Sequence, residues 1–141
     1  SMLLGAAMAG CAIEASMLGA AHSTANPLTA HYDIAHGQAV GLMLPHVVRF
    51  NAEIESCRKS YGELARIANL GKPEGDTAEC LAKRLADLLE QADMPVTLRA
   101  SGVEESILPT LAAEAAGQWT AGFNPREAGQ AEMEAIYRAA F

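Results

Sequence analysis

The chain has 141 residues, the length of one ordinary domain, and enough to close a real core. Half of the residues are hydrophobic and 19% are charged, which excludes a disordered tail. Ten basic against seventeen acidic residues leave a net charge of −7. That balance argues against a nucleic-acid binder and against a polybasic membrane anchor.

Alanine sets the fold class. There are 29 alanines against 5 valines and 6 isoleucines. Alanine is the best helix former and β-branched residues favour strands, so an all-α helical bundle is expected, with residues 1–141 as a single helical domain. The three cysteines, at 11, 57 and 80, fit neither a disulfide framework nor a CxxC metal site. They read as small buried hydrophobes in a reducing, cytoplasmic setting. Ser1 before Met2 reads as a cloning remnant, with the native frame starting at Met2.

Residues 2–21 carry only Glu14 and Ser16 as polar side chains. The run is long enough to span a bilayer. The mid-run carboxylate, the Gly/Ala content and the lack of flanking Lys or Arg favour instead a helix over residues 3–23, buried on most sides. Asn26-Pro27 is expected to interrupt the next segment, leaving a turn with a short helical piece over residues 24–35. A helix is expected from His36 to about Asn51, bent or broken at Pro45.

Residues 52–69 read as an amphipathic helix with Ile54, Tyr61, Leu64, Ala65 and Ala68 on one face. Residues 71–76 read as a loop, with Asp76 or Thr77 capping a helix over 77–92. Its stripe is Cys80, Leu81, Leu85, Leu88 and Leu89, and Pro95 closes the segment. Residues 103–117 carry a short helix and then another. Asn124-Pro125-Arg126-Glu127 has the makings of a helix start: Asn at the cap, Pro in the first turn, Glu at the third position.

Four histidines are the main candidates for chemistry. His31 and His46 read most simply as surface or hydrogen-bonded core residues. His22 closes an apolar helix, where the C-terminal dipole welcomes it, and His36 opens the next. A metal site requires His22 and His36 to converge across the Pro-containing turn between them. Their spacing of fourteen permits this, and imidazole suits zinc and iron alike. No Walker loop, no dinucleotide glycine fingerprint and no nucleophile elbow is present.

The run 19–39, GAAHSTANPLTAHYDIAHGQA, resembles the second signature of the iron-containing, group III alcohol dehydrogenases. So do the continuation 44–51, LPHVVRFN, and the later Asn124-Pro125-Arg126. The resemblance implies an all-helical C-terminal domain that meets an α/β NAD(P)-binding domain across a cleft. It implies a divalent metal, iron or zinc, held there by one Asp and three His, of which His22 and His36 match two. Asn26 matches a position near the nicotinamide where many relatives carry His. The resemblance places the other two ligands in an upstream helical part; neither that part nor the nucleotide domain is in this sequence, and no DxxxH occurs in the chain. The expected function is therefore a fragment of such an oxidoreductase, inactive as a lone chain and binding its metal poorly or not at all. A second chain carrying the nucleotide-binding domain would be its partner. Two other readings stay open: a helical association module that forms a homo-oligomer through residues 2–21, and a vestigial truncated gene product.

Overall fold

The computed structural model describes residues 2–70 and 77–141. Among them are seven α-helices and no strand: α1 (Met2–Ser16), α2 (Ala20–Tyr32), α3 (His36–Asn51), α4 (Glu55–Ile67), α5 (Thr77–Gln91), α6 (Leu108–Ala116) and α7 (Gln130–Ala140). Two 3-10 segments, Glu105–Ile107 and Trp119–Phe123, flank α6. The all-α expectation holds. The loop expected over 71–76, with Asp76 as a cap, lies outside the described residues.

The centre of the bundle is α2, not α1. α2 packs on α3 and α6, α3 also packs on α5 and α7, and α4 leans on α5. Leu28, Leu42, Met43, Leu98, Leu108, Leu111, Met133 and Tyr137 fill the space between these helices. Ala20, Ala25, Ala39, Ala112 and Ala115 are fully buried among them. Their small side chains let the helices approach closely.

The expected long first helix is two helices. Met17 enters the left-handed region at φ 66°, and α1 and α2 meet at 109°. No residue of α1 is buried, and Met2, Leu3, Leu4, Met8 and Ile13 are exposed on it. The expectation of a helix buried on most sides is thus overturned. A helix apolar all round has no preferred face, and no described helix packs substantially against this one. No single described helix is long and apolar enough to cross a membrane; α1 and α2 pass that test only as a bent pair.

Pro27 does not interrupt α2. An internal proline removes a donor and crowds the preceding turn, at a cost of about 3 kcal/mol. Packing outweighs it here: Ala25, Pro27 and Leu28 are all in the buried face. The Tyr137 hydroxyl also donates to the Thr24 carbonyl at 2.6 Å. The helix ends instead at Asp33, in the left-handed region at φ 53°, whose N–H bonds the Thr29 carbonyl. α3 runs through Pro45 over its expected span.

α4 and α5 run close to the expected spans, but their stripes differ. Cys57 and Ala65 are the buried residues of α4, while Leu64 and Ala68 of the expected face are exposed. On α5 the small Ala78 and Ala82 go deepest, with Leu89. α7 starts at Gln130, well after Asn124. Its first turn is closed by Glu132, which accepts the Gly129 N–H at 3.0 Å.

Candidate metal centre

His22 lies in the first turn of α2 and His36 is the first residue of α3. The residues between the two helices return the chain so that the imidazoles meet. Their ring centroids are 5.4 Å apart and their planes are tilted by 46°. His22 is half-buried and His36 exposed. Burial pushes the His22 pKa below that of a free imidazole, and the neighbouring His36 adds to the effect. A neutral ring with a free lone pair is the form that binds a metal.

The floor of this site is built by residues distant in sequence. The start of α2 is fixed by Asn124, whose Oδ1 accepts the Ala20 N–H at 3.2 Å. Asn124 also forms a reciprocal amide pair with buried Asn51 at the end of α3, at 2.8 and 3.2 Å, and donates to the Arg126 carbonyl. Tyr61 on α4 accepts a further bond from Asn51. Arg126 lies over the Phe50 ring and donates to the Phe50 carbonyl. Asn124 is thus a tie between two helix ends and not a cap of α7, which is why α7 starts later than expected. The sequence signal was present, since Asn51 and Asn124 both sit in the runs that carry the resemblance. Nothing local showed that they pair.

Asn26 lies one turn after His22 on the same face of α2. Its amide donates to Gln118 Oε1 at 3.1 Å. Thr29 follows on that face, with a hydroxyl shut from solvent and without a hydrogen-bond partner among the described residues. Gln118 and Thr29 are site neighbours that spacing arguments did not find.

The other histidines stand apart. His31 bonds both carboxylate oxygens of Glu114 at 3.0 Å, tying α2 to α6. His46 lies about 15 Å along α3 from His36. Burial first, and then Arg49, lower its pKa to about 4, with Glu79 acting against both. Cys11, Cys57 and Cys80 are free thiols.

The pattern of the Fe-containing alcohol dehydrogenase family, C-terminal part, matches residues 1–141. The chain belongs to this family. It is 33% identical over 144 residues to lactaldehyde reductase of Escherichia coli K12, covering 99% of this chain and 37% of that protein. It is 31% identical over 144 residues to 1,3-propanediol dehydrogenase of Klebsiella pneumoniae, covering 100% and 37%. The alcohol dehydrogenase from Oenococcus oeni superposes with a TM-score of 0.86 at 27% identity, over 94% of this chain and 35% of that one. The chain therefore spans little more than a third of the length of the relatives it matches.

A family named for iron raises the question of what this domain offers an iron-sized ion. Two imidazoles each about 2.0–2.1 Å from one tetrahedral ion hold their centroids roughly 5 Å apart, close to the observed separation. The donor set fits in kind, since imidazole nitrogen suits iron and zinc. It falls short in number. No group of three or more His, Cys, Asp or Glu side chains converges among the described residues. In this iron-type alcohol dehydrogenase domain, His22 and His36 bring two imidazoles together, and no third such side chain joins them among the described residues.

Proposed function

We propose that residues 1–141 act as the metal-side helical domain of an NAD(P)-linked, metal-dependent alcohol dehydrogenase. The observation that supports this best is the His22–His36 approach at 5.4 Å. His22 and His36 would hold a divalent iron or zinc ion. When bound, such an ion polarises an alcohol or carbonyl oxygen as a Lewis acid during hydride transfer. The remaining ligands would come from the upstream helical part that this sequence lacks, and the nicotinamide from a nucleotide-binding domain, on the same or another chain.

The chain's own residues have definite tasks. Burial favours the neutral form of His22, the form that coordinates. Asn26 presents an amide toward the cofactor side; it can donate and accept hydrogen bonds but cannot exchange a proton near neutral pH. Asn124 holds the start of α2, and so His22, in place. Without a group to position the nicotinamide, residues 1–141 alone turn over no alcohol. The test is to add, from a relative, the nucleotide-binding domain together with the upstream helical part that carries the other ligands, and follow NAD(P)H absorbance with a panel of short alcohols. Turnover that needs both parts and is lost in His22→Ala supports the reading. No turnover from a pair shown to associate contradicts it.

One observation favours a second reading, an association module. All of α1 is exposed and, apart from Glu14 and Ser16, apolar, and surfaces of that kind are normally covered. A second copy would cover it, giving a homo-oligomer. Light scattering that shows a monomer at all concentrations sinks this reading. The free thiols fit a reducing, cytoplasmic location.

A further inference from the structure

We draw no further inference here: the strongest candidate, the exposed apolar surface of α1 before the left-handed turn at Met17, carries none because nothing in the structure shows what covers it.

Discussion

Asn124 accepts the backbone N–H of Ala20 at 3.2 Å, across 104 positions of sequence. The bond satisfies one of the orphan donors at the start of α2 and sets where that helix begins. It also explains the residue before it. A Cβ added at Gly19 would meet Asn124 Oδ1 at 3.1 Å, so the backbone of residue 19 and the amide of residue 124 are fitted to one another. Asn124→Ala is expected to destabilise the fold by about 2 kcal/mol, because it strands the Ala20 N–H and the Asn51 amide together. Gly19→Ala should cost less, on the order of 1 kcal/mol. Denaturant midpoints of the two single variants and the double variant check this. The double should cost less than the sum, since both changes act on one contact.

Thr29 gives an expectation of the opposite sign. Its hydroxyl is closed off from solvent and has no partner among the described residues. A buried polar atom left unpaired is a cost, and valine has nearly the same shape. Thr29→Val should raise stability by about 1 kcal/mol, read as a higher thermal midpoint. A lower midpoint would mean that the hydroxyl is in use.

His46 makes stability depend on pH. Its pKa is about 4 in the fold and about 6.5 in the unfolded chain. Between those values the unfolded chain takes up the proton first, so stability falls as pH drops from about 6.5 through 4 and is level above that range. Arg49 and Glu79 face His46 and stay paired with each other at 2.7 Å. The loss should be on the order of 2 kcal/mol after allowing for partial solvent access. Stability measured from pH 8 to pH 4 should flatten in His46→Gln.

The sequence made some of this fold readable and hid the rest for physical reasons. Alanine content and the scarcity of β-branched residues pointed to an all-helical chain, and the expected extents of α3, α4 and α5 came close to those observed. Local rules failed where tertiary contacts overrode them. Pro27 stays inside α2 because its face is buried. Asn124 does not cap α7 because its amide is engaged with Asn51 and the start of α2. α1 was expected to be buried because it is apolar, but composition alone cannot name what covers a helix. The convergence of His22 and His36 was permitted by spacing and suggested by the family signature. Gln118, Thr120 and Trp119 were beyond local reading, because their place beside α2 depends on a register set by side chains of both segments.

The most direct measurement is zinc binding by calorimetry on the wild type and on four variants: His22→Ala, His36→Ala, His31→Ala and His46→Ala. Weak binding of one ion per chain is expected for the wild type, as two ligands alone give. The midpoint should weaken at least about tenfold on loss of either His22 or His36, and it should be unchanged on loss of His31 or His46. Equal binding by all five proteins, or binding that depends on His31 or His46 instead, would contradict the assignment of His22 and His36 as the metal side of this domain.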